Sequence, residues 1–288
     1  MISGALEASR LRVEGVTLGY DGEDIVHRLS LAVPDGAVTS IIGPNGCGKS
    51  TLLRAMARLM VPRSGRVLLD GQPLQAQPTR SVATRLGMLP QNPTAPAGLT
   101  VADLVSRGRN PRQRWYQQFS LGDERVVAGA LEATGIAALA DVPLDELSGG
   151  QRQRAWISMV LAQETDIVLL DEPTSFLDLA HQVELLELVQ RLNREHGRTI
   201  VMVLHDISLA ARYSDHMVAM RQGRIHSQGS PAEVVTERGL LEIFGLSAQV
   251  VTDPVAGRPH VIPLGTGTRS ESLAAVGAGT RTRAPSVE

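Results

Sequence analysis

The spacing of apolar and polar residues changes along the chain and divides it into strand-rich and helix-rich regions. Apolar runs of strand length occur at four places near the start, residues 11–18, 25–33, 37–42 and 67–69. The turn pair Asp21-Gly22 separates the first two runs. Between the last two, residues 49–59 indicate a helix that Pro62 and Gly65 would end. The first part of the chain therefore predicts several strands and one early helix.

Residues from about 92 to 163 show mainly helical spacing, at 100–107, 123–134 and 151–163. Strands and helices then alternate, with strands at 167–170, 199–204 and 217–220 and helices at 179–196 and 207–213. This alternation is typical of right-handed βαβ units and a parallel sheet covered on both faces. A capping box at residues 230–233, with Pro231 at the first helical position, predicts one more small helix. We therefore expect an α/β fold in which a mostly helical subdomain is inserted into a sheet-based one.

The composition indicates one globular domain with variable ends. Residues 1–10 predict a flexible lead-in and residues 265–288 a disordered tail, which leaves one domain at 11–264. Of the 288 residues, 43% are hydrophobic and 20% charged, as is usual for a protein with one substantial core. The net charge of −2 argues against a large nucleic-acid surface, and the single cysteine excludes an internal disulfide framework. No secretion signal or membrane-spanning stretch is visible, so a role at a membrane is expected to depend on a partner.

The only lysine of the chain, Lys49, lies in a glycine-rich loop before the predicted early helix, and every other basic residue among the 28 is an arginine. Lysine is a compact charge on a thin stem, which a backbone loop around phosphate accommodates better than the planar arginine fork. The spacing Gly-x-x-x-x-Gly-Lys-Ser is that of the P-loop, where backbone N–H groups and a helix N-terminus bind phosphate. The predicted phosphate site comprises nine residues: Gly43, Pro44, Asn45, Gly46, Cys47, Gly48, Lys49, Ser50 and Thr51.

Two acidic residues, Asp171 and Glu172, follow the continuous apolar run 167–170, and Pro173 prevents the strand from continuing past them. Ligands of open α/β sheets bind beyond the carboxyl ends of the strands, where these carboxylates are expected. Successive side chains diverge on a strand, so the two acids can have different roles. Asp171 is placed to hold Mg²⁺ together with Ser50, and Glu172 to accept a proton from an attacking water or to orient it. The alternative is a surface Asp-Glu pair at a strand end.

A second candidate anion site comprises Ser148, Gly149, Gly150 and Gln151, which open the predicted helix 151–163. A serine hydroxyl and free N–H groups at a helix N-terminus favour a bound anion. The alternative is a serine N-cap followed by flexible glycines, which is common for helices in general. The early helix already provides one phosphate-binding N-terminus, and this second one lies about a hundred residues away. We therefore expect it to act on a site of another molecule.

Together these motifs resemble those of the nucleotide-binding subunit of an ATP-binding cassette (ABC) transporter, over roughly residues 10–260. Residues 43–51 resemble Walker A, 147–151 the ABC signature and 167–173 Walker B. The resemblance implies a P-loop NTPase: an ABC ATPase core with a mainly parallel sheet, an N-terminal antiparallel β subdomain and a helical subdomain at about 92–163. It implies ATP and Mg²⁺ as cofactors, and ATP hydrolysis coupled to transmembrane transport. It also implies a head-to-tail homodimer or pseudo-dimer, in which Ser148, Gly149 and Gly150 contact the γ-phosphate bound by the partner.

Four more positions match the pattern of this family, and the resemblance implies a role for each. Tyr20 stands where the family has an aromatic residue that stacks on adenine, and Gln91 stands at the Q-loop position, where an amide touches Mg²⁺ or the attacking water. His205 would contact the γ-phosphate, and Asp178 resembles the D-loop residue that touches the partner's site. Taken alone, such residues are more often structural. The implied catalytic residues are Lys49, Gln91, Glu172 and His205, and the implied metal ligands are Ser50, Gln91 and Asp171.

The kind of transporter is indicated by residues 99–111, which resemble the segment after the Q-loop in importers of ferric siderophores, haem and cobalamin. Residues 161–163 and 179–182 favour the ferric-siderophore branch, although Arg112 stands where many members have histidine. The resemblance implies integral membrane permease subunits as partners, a binding protein outside the membrane as an indirect partner (extracellular or periplasmic), no nucleic acid, and a peripheral location on the cytoplasmic face of the membrane. Alternatives are import of haem, cobalamin or another metal chelate, export, a soluble non-transport ABC ATPase and a stand-alone P-loop kinase.

Overall fold

The computed structural model describes residues 9–113, 119–175 and 177–266. Within these ranges the strands are β1 (Leu11–Tyr20), β2 (Glu23–Ala32), β3 (Val38–Ile42), β4 (Ser64–Leu69), β5 (Gln72–Pro73), β6 (Leu86–Leu89), β7 (Ile167–Asp171), β8 (Thr199–Val203), β9 (His216–Arg221), β10 (Arg224–Gly229), β11 (Leu246–Thr252) and β12 (Pro259–Thr266). The α-helices are α1 (Lys49–Met56), α2 (Thr79–Ala83), α3 (Val101–Arg107), α4 (Leu121–Ala133), α5 (Gly149–Ala162), α6 (Leu179–His196), α7 (Ile207–Tyr213), α8 (Pro231–Val234) and α9 (Glu237–Phe244).

The strands form two sheets and a C-terminal hairpin. Six strands make the central sheet in the order β10-β9-β3-β8-β7-β6, and all of them run parallel except β10, which pairs antiparallel with β9. Four antiparallel strands make the second sheet in the order β2-β1-β4-β5, and β11 pairs with β12. The predicted α/β class, the mainly parallel core sheet and the N-terminal antiparallel β subdomain are confirmed.

The middle strand of the central sheet, β3, is buried on both faces. Val38 and Ile42 pack into the apolar cluster that contains helices α5 and α6, whereas Ile41 packs into the cluster formed by α1 and the antiparallel sheet. Strands β7 and β8 are buried throughout as well, which is the reason that they carry continuous apolar runs, at residues 167–170 and 200–203. These strands are parallel and hydrogen-bonded to one another, so the segments that leave their carboxyl ends meet at one edge of the sheet.

Three helices, α3, α4 and α5, lie between β6 and β7, and their buried apolar residues belong to one cluster. Helix α3 begins one residue after the start that the sequence spacing predicts, and α4 and α5 each begin two residues before it. A capping box fixes each start: Thr100 with Asp103, Ser120 with Asp123, and Ser148 with Gln151. The helical stretch predicted for about 92–163 is therefore present, although its boundaries as a subdomain stay a prediction. Among the described residues, no helix has the length and apolar character needed to cross a membrane.

Several elements differ from the sequence prediction. Strands β5, β6, β10, β11 and β12 and helices α2 and α9 were not predicted; of these, β5, β6 and α2 are short, and β10 contains few apolar residues. Helix α1 ends at Met56 instead of residue 59, and Arg58 just beyond it adopts a left-handed backbone with φ 64°. Strand β12 continues to Thr266, so the tail predicted from 265 begins inside a strand. The rest of that tail, 267–288, and residues 1–8 of the lead-in lie outside the described residues.

Candidate functional site

The loop between β3 and α1 depends on glycines for its shape. Gly43, Gly46 and Gly48 all have positive φ angles, of 152°, 75° and 100°. A Cβ atom on Gly43 would collide with the carbonyl oxygen of Met220, and one on Gly48 would lie 2.8 Å from Cγ2 of Val26. The loop therefore passes too close to neighbouring strands for any other residue at these two places. Helix α1 begins immediately after this loop, at Lys49.

The Lys49 side chain fills the centre of the loop. Its Nζ donates hydrogen bonds to the carbonyl oxygens of Gly43 (2.8 Å) and Pro44 (3.0 Å), and the residue is only 5% exposed. The loop thus wraps around a single ammonium group, as the sequence spacing predicts. A buried cation beside a helix N-terminus attracts an anion, so this loop fits a phosphate chain.

Asp171, the last residue of β7, lies beside the start of α1. Its Oδ1 accepts a hydrogen bond of 2.8 Å from the Ser50 hydroxyl, and the residue is 1% exposed. Its other oxygen, Oδ2, is buried without a hydrogen-bond partner among the described residues. Burial raises the pKa of Asp171 above its ordinary value, and the hydrogen bond from Ser50 only partly offsets this effect. A buried carboxylate oxygen without a partner, next to a hydroxyl, fits the oxygen ligand set that Mg²⁺ prefers.

Glu172 points to a different group of residues. Its Oε1 lies 2.7 Å from Nε2 of His205, and its Oε2 accepts hydrogen bonds from Nε2 of Gln91 (2.6 Å) and from the Ser175 hydroxyl (3.2 Å). Burial alone would raise the pKa of the Glu172 carboxyl. The hydrogen bonds, of which the one from His205 has the largest effect, hold this pKa below its ordinary value. Glu172 is therefore ionised at neutral pH and can accept a proton. The predicted divergence of Asp171 and Glu172 is confirmed.

These residues surround one open cavity of about 440 Å³ at the carboxyl edge of the central sheet. It is lined by Ile25, Asn45, Gly46, Gly48, Lys49, Ser50, Thr51, Gln91, Glu172 and His205. Six of the nine predicted loop residues are thus brought together with Gln91, Glu172 and His205, whereas Gly43, Pro44, Cys47 and Asp171 do not line this cavity. Tyr20 ends β1 as predicted, is 42% exposed, and its hydroxyl accepts a hydrogen bond of 3.2 Å from Arg54 on α1. It is tied to the helix that begins at the loop, although it does not line the cavity.

The residues around the start of α5 lie outside this cavity. Ser148 is the N-cap of α5: its Oγ accepts a hydrogen bond from the backbone N–H of Gln151, whose Oε1 accepts one from the backbone N–H of Ser148. The serine N-cap that the sequence left open is thus present, and it leaves the N–H groups of Gly149 and Gly150 for another acceptor. Asp178 caps α6 and pairs with Nδ1 of His181 at 2.7 Å.

Two residues of the site were not predicted from the sequence. Ser175 donates to Glu172 because a turn follows β7, with the Ser175 N–H bonded to the Glu172 carbonyl oxygen at 3.1 Å. A serine three residues after Glu172 and two after Pro173 is typical of a turn, and this spacing could have identified Ser175 as a residue of the site. Ile25 lines the cavity from β2, and nothing in the local pattern distinguishes it from other strand residues.

The comparison with known families agrees with this geometry. The sequence profile of the family described as "ABC transporter" matches residues 26–175, from β2 to the turn after Glu172. The chain belongs to the ABC transporter family. It is therefore an ABC ATPase, which binds ATP and hydrolyses it.

Relatives with transport names match almost the whole of this ABC ATPase. It is 53% identical to the ferric enterobactin transport ATP-binding protein FepC of Escherichia coli, over 89% of this chain and 95% of the relative. It is 52% identical to a probable siderophore transport system ATP-binding protein, YusV of Bacillus subtilis, over 90% of this chain and 94% of the relative. It is 47% identical to the iron(3+)-hydroxamate import ATP-binding protein FhuC of the same species, over 86% of this chain and 93% of the relative.

Solved structures of the family share the fold. An ABC transporter in an inward-facing conformation, assigned to the metal-chelate type, aligns with a TM-score of 0.76 at 27% identity, over 90% of this chain and 98% of that one. The dimeric structure of MJ0796, a bacterial ABC transporter cassette, aligns with a TM-score of 0.70 at 26% identity, over 76% of this chain and 98% of that one. The architecture of the central sheet is therefore that of an ABC ATPase cassette.

Proposed function

We propose that this ABC ATPase energises the import of an iron(III)–siderophore complex through a separate integral membrane permease. The observation that supports this proposal is the identity of about half of all residues, over nearly the full length of both chains, with ATP-binding proteins named for ferric enterobactin and siderophore transport. The protein would lie at the cytoplasmic face of the membrane, and a binding protein on the other side would deliver the cargo.

In the proposed mechanism the loop residues 43–51 hold the phosphates of ATP, with the Lys49 ammonium turning from the loop carbonyls to the β- and γ-phosphates. Ser50 and Asp171 are the residues that would hold Mg²⁺, and Gln91 is proposed as a further ligand. When bound, Mg²⁺ neutralises charge on the phosphate oxygens. We propose that Tyr20 packs on the adenine ring beside α1.

Glu172 is proposed as the acceptor of the proton from the attacking water. Its ionised carboxylate is held by Gln91 and His205, which face the same cavity. Once the γ-phosphate is present, His205 donates to it, and Glu172 is released to the water. Rate acceleration then comes mainly from positioning and from charge stabilisation, as in other phosphoryl-transfer sites.

Two copies are proposed to close on two ATP molecules in a head-to-tail dimer, and the structure of the related MJ0796 cassette is dimeric. The cavity is open, and residues 148–151 of the same chain do not line it. The partner's residues Ser148, Gly149, Gly150 and Gln151 would therefore complete it, with Asp178 near the same interface. ATP binding closes the dimer and hydrolysis reopens it, which drives the permease.

Uptake of radioiron-labelled siderophores in a strain that lacks this chain tests the cargo. We expect uptake to fall to background and to return with the wild-type chain, but not with the Glu172→Gln variant. Uptake of cobalamin and of haem in the same strain is the control and should be unchanged. Normal siderophore uptake together with loss of cobalamin or haem uptake would replace this proposal with import of another metal chelate.

A further inference from the structure

Gln153, in the second turn of α5, makes a hydrogen bond that reaches the end of β7. Its Nε2 donates to the carbonyl oxygen of Pro173 at 2.9 Å, and its side chain is half-buried. Pro173 directly follows Glu172 in the chain. The helix that begins at Ser148 is therefore joined by a side chain to the residue next to the proposed proton acceptor.

The backbone at Glu172 is in a conformation that needs such support. Its φ is 51°, in the left-handed region that non-glycine residues rarely adopt, and the following proline favours an extended conformation instead. Such a conformation persists only where neighbouring contacts hold it. Two contacts of this kind are present: the Ser175 N–H donates to the Glu172 carbonyl oxygen, and Gln153 holds the Pro173 carbonyl oxygen.

Helix α5 also contacts the turn after Glu172 at a second place. The position of a Cβ on Gly150 lies 3.4 Å from Cδ2 of Leu177, so the first turn of α5 packs directly on this segment. Gln153 is five residues from Ser148, which corresponds to about 7.5 Å along a rigid helix. A displacement of the α5 N-terminus therefore reaches the Pro173 carbonyl without an intervening flexible segment.

We propose that Gln153 is a positioning residue for Glu172, which transmits the placement of the α5 N-terminus to the carboxylate that acts on water. This inference rests on the proposed role of Glu172. When the N-terminus of α5 meets the terminal phosphate in the dimer, Gln153 fixes the backbone at residues 172 and 173, and the carboxylate is held in its productive place. The same hydrogen bond makes hydrolysis at a site depend on whether the helix of the same chain is seated on the partner's nucleotide.

The test measures ATP hydrolysis by the full chain carrying Gln153→Met, which keeps the length of the side chain and removes its N–H donor. Loss of correct placement at a reacting group lowers the rate roughly 10- to 100-fold, so we expect kcat to fall by this factor while KM for ATP changes less than about twofold. Gln153→Lys retains an N–H donor of sufficient reach and should restore most of kcat. Gln190→Met, on α6, is the matched control, because its amide oxygen contacts only the exposed Arg194 in the described structure.

A second measurement separates positioning from a general effect on the fold. If Gln153 acts through Glu172, adding Gln153→Met to Glu172→Gln should not lower the residual rate further, whereas independent effects would multiply. Wild-type kcat in Gln153→Met, equal losses in Gln153→Met and Gln153→Lys, or multiplying effects in the double variant would each overturn the inference. Normal hydrolysis by Glu172→Gln would instead overturn the proposed role of Glu172, so the two failures are distinguishable.

Discussion

Asp171 and Glu172 are neighbours in sequence, yet the structure surrounds them with opposite electrostatic conditions. Asp171 is buried beside one hydroxyl and has a raised pKa, whereas Glu172 accepts hydrogen bonds on both oxygens and has a lowered pKa. The alternation of side chains on a strand predicts that the two carboxylates diverge. The left-handed backbone of Glu172 could not be predicted from this alternation, because it arises from the turn after β7.

Replacement of Glu172 by Gln tests the division of roles between the two acids. The amide keeps the shape of the side chain but cannot accept a proton, so ATP binding should persist while turnover falls by at least about 100-fold. We expect the Glu172→Gln variant to form an ATP-stabilised dimer, measured by gel filtration with and without ATP. Lys49→Ala is the contrasting control, because it removes the cation of the phosphate loop and should weaken nucleotide binding itself. Hydrolysis at the wild-type rate by Glu172→Gln would remove Glu172 from its role.

At the scale of elements, the ends of helices were predicted better than edge strands. A Ser or Thr followed three residues later by an acid or Gln occurs at the start of α3, α4 and α5, and each forms a capping box. Strands β10 and β12 pair with the strands directly before them, β9 and β11, yet their own sequences hide them: β10 has one apolar residue, and β12 contains two prolines and a glycine. Contacts that join the helices to one another were likewise invisible in the sequence. Arg109, beyond the end of α3, donates to Asp123 at the start of α4 and to the Ala162 carbonyl oxygen at the end of α5.

The Arg109–Asp123 pair makes the stability of the helical region depend on pH. The two side chains are 9% and 11% exposed. The pKa of Asp123 is lowered from 3.8 to about 2, and the hydrogen bond from Arg109 is the largest cause of this shift. A carboxyl with a lowered pKa stabilises the fold above its ordinary pKa, and this contribution is lost as the pH falls through about 2. Asp123→Asn should therefore lower the free energy of unfolding by about 1–3 kcal/mol at neutral pH.

Urea unfolding at about pH 6 and about pH 3 measures this effect. The difference between wild type and Asp123→Asn should narrow at the lower pH, because about pH 3 lies below the ordinary pKa of 3.8, so the carboxyl of the unfolded chain is then mostly protonated while the folded one, with a pKa of about 2, stays mostly ionised. Asp166→Asn is the matched control: Asp166 pairs with Arg10, but its side chain is 62% exposed, so its loss should cost less than about 1 kcal/mol. A constant difference at both values of pH would contradict the assigned pKa.

For the whole molecule, the sequence identified both halves of the proposed ATP site but not that the two halves lie apart within one chain. The phosphate loop, Gln91, Glu172 and His205 line one cavity, since β3, β7 and β8 end at one edge of the sheet. The start of α5 belongs to the helical region and is not part of that cavity. The spacing predicts only that the strands run parallel. The separation of the α5 N-terminus from the cavity follows from the packing of the three helices. An incomplete site in one chain is what a head-to-tail dimer would complete.

Mixing two inactive variants tests whether each site is built from two copies. Gly149→Asp places a carboxylate where the terminal phosphate would bind; nothing in the described structure lies within 4 Å of its Cβ, and an acid at a helix N-terminus favours the helix. The fold should therefore persist while hydrolysis is lost, as it is in Lys49→Ala.

In a mixed dimer, one site combines the intact loop of the Gly149→Asp chain with the intact helix of the Lys49→Ala chain. Mixing should restore hydrolysis to at most about a quarter of the wild-type rate, since half of the dimers have one of two sites intact. Restoration is possible only if loop and helix come from different chains, so a mixture as inactive as its components would place both halves of the site in one chain.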